Sequence, residues 1–163
     1  MPAAGLHGSG LDWKRGDGYR VAELSIGRES KTGFAQLAPG RTGVLFTNSL
    51  NPLISANNQI LENGAGVALG DVDGDGRCDI FLCGSERPSA LYRNLGNWTF
   101  EDITASAGVS CPGQFSTGAA FADVDGDGDL DLLVNGIGVG TRLFRNDGHG
   151  HFIEDHQSGL TRT

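Results

Sequence analysis

Residues 71–79 are Asp-Val-Asp-Gly-Asp-Gly-Arg-Cys-Asp, and residues 123–131 are Asp-Val-Asp-Gly-Asp-Gly-Asp-Leu-Asp. The two stretches lie inside a longer internal repeat, in which Gly66–Phe100 aligns with Gly118–Phe152 without a gap. Fifteen of the 35 aligned positions are identical. A repeat period of about 50 residues is typical of proteins in which each copy forms one structural unit that packs on its neighbours. The fold is therefore expected to consist of two similar units.

Each copy divides into four short strand-like segments separated by turns rich in Gly, Asn and Asp. The predicted strands are Val67–Gly70, Cys78–Cys83, Ala90–Asn94 and Thr99–Thr104 in the first copy, and Ala119–Ala122, Leu130–Asn135, Thr141–Asn146 and Phe152–Asp155 in the second. No segment carries a 3.6-residue apolar stripe long enough to predict a helix. Four strands per copy predict an all-β chain that forms a partial β-propeller of about two four-stranded blades.

The rest of the chain is assigned around these copies. Phe34–Val44 resembles Phe100–Val109, which predicts an extra outer strand of the kind that closes a ring of blades. The predicted division is 1–33 as a weakly structured N-terminal extension, 34–65 as this orphan outer strand and a connection, 66–117 as blade 1 and 118–163 as blade 2.

Composition supports the all-β assignment and excludes some functions. The chain has 163 residues, 27 of them Gly, and a net charge of −8. An acidic chain gives no electrostatic support for binding nucleic acid. No apolar run approaches the roughly 18 residues needed to span a membrane, and the first thirty residues lack a secretory apolar core. An export signal is therefore expected to be absent or already removed.

The two Asp/Gly stretches carry the chemistry. Three carboxylates on alternate residues converge when the intervening glycines let the backbone curl, and Ca²⁺ prefers six to eight such oxygen ligands. We therefore predict two Ca²⁺ sites. The predicted ligands are the side chains of Asp71, Asp73, Asp75 and Asp79 with the backbone carbonyl of Arg77, and the side chains of Asp123, Asp125, Asp127 and Asp131 with the backbone carbonyl of Asp129.

Three other interpretations of these loops fit the sequence less well. A solvated acidic turn explains one such loop more easily than two in register. An EF-hand needs Glu at the twelfth loop position and flanking helices, whereas Leu82 and Val134 stand there. A catalytic carboxylate pair needs a carboxylate free to carry a proton, and a cation that takes all four leaves none free. The chain is therefore not expected to be an enzyme.

These residues resemble the FG-GAP/VCBS repeats of integrin α-subunit propellers and their relatives. The strings Asn94–Thr104 and Phe144–Phe152 are similar to the secreted ASPIC/UnbV-associated, or cartilage acidic protein-like, family, of which only an N-terminal portion would be present. The resemblance implies a Ca²⁺-binding propeller that acts in protein or glycan interaction outside the cell, at the cell surface or in the periplasm. In that context Cys83 and Cys111, which lie in or beside connecting loops, are expected to form a disulfide, with three free thiols as the alternative.

A closed propeller needs about four to eight blades, and this sequence encodes two. The predicted partners are therefore the remaining blades of a larger propeller or other copies of the chain, together with a protein or glycan ligand. Two rival functions stay open at this point. The propeller could belong to a secreted polysaccharide-active enzyme, or the chain could be a structural tile in a ring-forming homo-oligomer.

Overall fold

The computed structural model of the protein describes residues 13–23, 34–55 and 64–160. Contacts divide the chain into two units, Met1–Gln36 and Leu37–Thr163. In the first unit the described residues form an antiparallel hairpin of β1 (Trp13–Arg15) and β2 (Arg20–Ala22). This hairpin is a regular element within the extension that was predicted to be weakly structured. The remaining parts of that extension, 1–12 and 24–33, lie outside the described residues.

The second unit contains two four-stranded antiparallel sheets. The first sheet consists of β3 (Val67–Gly70), β4 (Asp79–Leu82), β5 (Ala90–Gly96) and β6 (Thr99–Asp102), and the second sheet of β7 (Ser116–Ala122), β8 (Asp131–Gly136), β9 (Gly140–Asn146) and β10 (Phe152–Glu154). In both sheets each strand pairs with the next along the chain. The prediction of an all-β chain with four strands per repeat is confirmed, because the eight strands begin and end within three residues of their predicted positions.

Three single-turn helices complete the described secondary structure: α1 (Pro39–Thr42), α2 (Pro52–Ser55) and α3 (Thr104–Ala107). The predicted outer strand at Phe34–Val44 is wrong, since the described residues 34–55 contain no strand. Proline at the start of α1 presets a helical φ angle, and Gly43 ends the turn in the left-handed conformation with its N–H bonded to the Pro39 carbonyl at 2.8 Å. None of the helices in the described ranges is long and apolar enough to cross a membrane.

The two sheets share one hydrophobic core, and they contribute opposite faces to it. In the first sheet Phe81 is fully buried, whereas in the second sheet the buried β8 residues are Leu132 and Val134. Leu132 and Val134 align with Ile80 and Leu82, which point to the other face of their own strand. The sheets therefore stack with one face of the first sheet against the opposite face of the second sheet, and the equivalent faces of the two copies do not meet.

All three cysteines are free, so the predicted Cys83–Cys111 disulfide is not present. Cys83 and Cys111 are 1% and 2% exposed and belong to the shared core, where they pack as small apolar side chains. Burial raises the pKa of both thiols to about 11, which keeps them protonated at neutral pH. Cys78, which aligns with Leu130 of the other copy, is exposed.

Candidate metal centre

The two Asp/Gly loops occupy the same place in the two sheets. The first loop (71–79) joins β3 to β4, and the second loop (123–131) joins β7 to β8. Gly74 and Gly76 have φ angles of 72° and 82°, in the left-handed region that favours glycine. The backbone therefore curls where the sequence predicted that it would, and the alternate carboxylates turn toward one another.

The curl of the first loop is held by its own first residue. The N–H groups of Asp75 and Gly76 donate to the Asp71 carboxylate at 3.1 and 2.8 Å. In the second loop the Gly128 N–H donates to the Asp123 carboxylate at 3.2 Å, which corresponds to the bond from Gly76 to Asp71. A carboxylate accepts up to about four hydrogen bonds or metal contacts, so these carboxylates keep room for a cation.

In each loop three carboxylates come together, with one oxygen atom from each lying within 4.8 Å of the others. The clustered residues are Asp71, Asp73 and Asp79 in the first loop, and Asp123, Asp125 and Asp127 in the second. The clusters therefore include six of the eight predicted side-chain ligands, leaving out Asp75 and Asp131. The backbone carbonyls of Arg77 and Asp129, predicted as the remaining ligands, stay a prediction.

Asp75 is drawn away from its cluster by a neighbouring cation. Its carboxylate accepts a hydrogen bond from the Arg77 N–H at 2.8 Å and forms an ion pair with the Arg77 guanidinium. The Arg77 Nε also donates to the Asn94 carbonyl at 2.7 Å, which fixes the guanidinium beside the loop. The second loop has Asp129 in place of Arg77, and there the equivalent Asp127 stays in the cluster.

The last carboxylate of each loop is fully buried and ties the loop to the third strand of its sheet. Asp79 accepts hydrogen bonds from the N–H of Val72 at 2.9 Å and from the N–H of Asn94 at 2.7 Å. The second loop repeats both bonds, from Val124 to Asp131 at 3.1 Å and from Asn146 to Asp131 at 2.9 Å. Asp79 therefore fixes Val72 against β5, and Asp131 fixes Val124 against β9.

Burial raises the pKa of Asp79 above its ordinary value, and the negative charges of Asp73 and Asp75 act in the same direction. The hydrogen bonds from Val72 and Asn94 oppose this rise because they stabilise the charged carboxylate. A divalent cation beside the cluster would act in the same direction as these hydrogen bonds and more strongly, since its charge is the largest local charge in such a site.

Two arginines at aligned positions lie beside the loops and had not been predicted as part of the sites. Arg145 Nη1 is 3.1 Å from Asp125 Oδ2 and 3.4 Å from Asp131 Oδ2. Arg93 Nη1 lies 3.9 Å from Asp73 Oδ2. The presence of arginine at this position in both copies of the repeat is the sequence signal that could have indicated their role. Each arginine offsets part of the repulsion within its loop.

The residues present fit a hard divalent cation such as Ca²⁺. The clustered donors are all carboxylate oxygens, without the Cys or His ligands that softer metals prefer. Five of the six clustered residues are at least partly exposed, so water can supply further ligands, and the curled backbone already holds the carboxylates together. Asp71, Asp73, Asp79, Asp123, Asp125 and Asp127 would hold the ion.

Comparison with known proteins bears on both loops. Residues 71–134 match the family model of the FG-GAP-like repeat. This segment contains both loops, and the predicted resemblance is confirmed. The chain is also similar to cartilage acidic protein 1 of Mus musculus, with 38% identity, and of Homo sapiens, with 37% identity, in each case over 81 residues that make up 50% of this chain. The 81 matched residues make up only 12% of the length of each of those relatives.

Proposed function

We propose that the chain is a Ca²⁺-binding part of an extracellular FG-GAP-type β-propeller, in which the ions rigidify loops that present a surface to a protein or glycan. One observation carries the proposal. The same acidic loop occurs twice, at the same strand connection of two similar sheets, and in both places three carboxylates converge within 4.8 Å. A solvated acidic turn has no reason to recur with this geometry.

The packing of the two sheets supports a propeller arrangement. Because opposite faces of the two copies meet, the same contact can be repeated at either end of the pair, as in the radial stacking of blades. On the face of the first sheet that points away from the shared core, Val67 and Leu69 are 53% and 61% exposed. Their counterparts in the second sheet, Ala119 and Phe121, pack against the shared core.

These exposed residues indicate which partners the chain has. Isolated apolar side chains on a surface are ordinary, but here the aligned positions of the other copy are covered by a neighbouring sheet. We infer that further blades of a longer propeller cover them, or that other copies of the chain do so. Light scattering distinguishes these alternatives, because other copies would give a defined oligomer of this chain alone.

The names of the relatives and the proposed ion support a location outside the cell. The similar proteins are named for cartilage, a tissue rich in extracellular matrix. Carboxylate sites of this kind suit the calcium concentrations of extracellular fluid, where modules bind Ca²⁺ with Kd values of about 10⁻⁴–10⁻³ M. We propose a binding role and not a catalytic one, because the clustered carboxylates are assigned to the ions. Cleavage of a polysaccharide by the chain would overturn this part of the proposal.

The proposal is tested by thermal unfolding of the full chain in excess Ca²⁺ and in excess chelator. Ca²⁺ should raise the unfolding temperature, because it binds the folded loops and not the unfolded chain. The substitutions Asp73→Ala and Asp125→Ala should each remove part of that rise, and the double substitution should remove nearly all of it. An unfolding temperature that does not respond to Ca²⁺ in the unsubstituted chain would refute the metal assignment.

A further inference from the structure

The side chain of Asn146, at the end of β9, connects the two sheets. It is 8% exposed, and its Nδ2 donates to the Leu130 carbonyl at 3.1 Å in its own sheet and to the Val72 carbonyl at 2.8 Å in the first loop. Its Oδ1 accepts a hydrogen bond from the Gly150 N–H at 3.2 Å. Both amide hydrogens therefore have partners, and one of those partners is the backbone between two clustered carboxylates of the other sheet.

The turn that follows β9 covers the same part of the first loop. A Cβ atom placed on Gly150 would lie 3.7 Å from Val72 Cγ2 and 3.8 Å from the Cβ of Asp73. The backbone of this turn thus packs directly against the first loop. Together with the Asn146 hydrogen bond, it forms a support for the loop that comes entirely from the second sheet.

Within the described residues, no neighbouring sheet supports the second loop in this way. Residues of the second loop are therefore more exposed than the aligned residues of the first. Val72 is 1% exposed, whereas Val124 at the same position of the second loop is 41% exposed. The side chain of Asp73 is 14% exposed, and that of Asp125 is 42% exposed. The loops are nearly identical in sequence, so this difference arises from the neighbouring sheet.

Asn94, which aligns with Asn146, provides an internal comparison. Its Nδ2 donates to the Cys78 carbonyl at 2.9 Å, and its Oδ1 accepts from the Gly96 N–H at 2.9 Å. In the described part of the chain its side chain makes no hydrogen bond to the second sheet. Both asparagines therefore donate to the aligned carbonyl of their own sheet, Cys78 or Leu130, and the bond to another loop belongs to Asn146.

We propose that Asn146 is a positioning residue for the cation site of the first loop, an inference that rests on the proposed Ca²⁺ binding. By fixing the Val72 carbonyl, Asn146 restricts the two peptide groups that flank Asp71 and Asp73, so the loop is ordered before the ion arrives. Less conformational freedom is then lost on binding. By thermodynamic linkage, an ion in the first loop must strengthen the docking of the second sheet by the same factor.

The effect of replacing Asn146 must be measured as a change in the Ca²⁺ affinity of the first loop, and not as a difference in affinity between the two loops. Asp129 gives the second loop a negative charge where the first loop has the positive charge of Arg77, and this difference favours the second loop. The test therefore uses Asp125→Ala to leave only the first loop able to bind, and Asp73→Ala to leave only the second.

Calcium titration calorimetry of the full chain tests the proposal. In the Asp125→Ala background, Asn146→Ser should weaken Ca²⁺ binding by about threefold to tenfold, the size expected for one buried neutral hydrogen bond. The matched control is Asn94→Ser in the Asp73→Ala background, which should leave the Kd of the second loop unchanged. An Asn146→Ser effect smaller than twofold would overturn the proposal, as would an equal effect of the control.

A second measurement needs no substitution of Asn146. In hydrogen exchange, Ca²⁺ added to the Asp125→Ala chain should slow exchange in the turn at 148–152 of the second sheet. Ca²⁺ added to the Asp73→Ala chain should leave the turn at 96–100 unchanged. The role of Asn146 is overturned if Ca²⁺ does not slow exchange at 148–152, or if it slows exchange equally at 148–152 and at 96–100. Absence of any Ca²⁺ binding by the unsubstituted chain overturns the proposed function itself, and this inference with it.

Discussion

The backbones of the two sheets approach each other closely at Gly66, and replacing this glycine by alanine should separate them. A Cβ atom at Gly66 would lie 2.7 Å from the Cα of Gly118 and 3.1 Å from the Thr117 carbonyl oxygen. Both contacts are with backbone atoms, which cannot move aside as a flexible side chain would. The first residue of the first repeat must therefore shift away from β7, and the shared core must open with it.

The expected cost is about 1–3 kcal/mol, the usual penalty for adding a methyl group to a well-packed interface. Gly118, the aligned glycine of the second repeat, is the matched control, because a Cβ at that position meets nothing within 4 Å. Gly118→Ala should be neutral or stabilising by a few tenths of a kcal/mol, since alanine restricts the unfolded chain.

Urea unfolding of both variants in excess Ca²⁺ measures the difference. We expect Gly66→Ala to lower the free energy of unfolding by about 1–3 kcal/mol relative to Gly118→Ala, with an unchanged dependence on urea concentration. Equal stabilities for the two variants would refute the packing of opposite faces. So would a stronger effect of Gly118→Ala, because that residue would then lie at the interface instead.

Further predictions concern the core and its edge. Arg142 donates to Glu154 at 2.7 Å, and this bond lowers the pKa of Glu154 below its ordinary value of 4.5. Because the folded pKa is lowered, the pair stabilises the fold above about pH 4.5 and its contribution is lost as the pH falls through the lowered pKa. Urea titrations between pH 3 and pH 7 should show Glu154→Gln destabilised by about 1–2 kcal/mol at neutral pH and little at the acid end. Alkylation of the native chain, followed by mass spectrometry, should modify Cys78 rapidly and leave Cys83 and Cys111 unmodified until the chain unfolds; rapid modification of all three would contradict their burial.

The repeat made most of the fold predictable from the sequence. Two aligned copies define the strand boundaries better than one, because a turn such as Gly74–Gly76 must fit both. The predicted strand at 34–44 failed for an instructive reason. Its template, Phe100–Val109, itself contains the helical turn α3 before Gly108, and Pro39 with Gly43 forms the same arrangement upstream.

The convergence of carboxylates in the two loops was predictable from the sequence, and which of them cluster was not. Spacing alone indicates that Asp71 and Asp73 converge, since Gly74 and Gly76 let the loop backbone curl. That Arg77 withdraws Asp75 depends on where β5 places the Asn94 carbonyl, which a sequence does not show. The free thiol of Cys83 likewise depends on its burial between the sheets.

The number of ions bound per chain tests the proposed cation sites most directly. Native mass spectrometry of the full chain, with and without Asp73→Ala and Asp125→Ala, counts bound Ca²⁺. We expect two ions per unsubstituted chain, one for each single variant and none for the double variant. A chain that binds no Ca²⁺, or that keeps two ions in either single variant, would contradict the assignment of one ion to each loop.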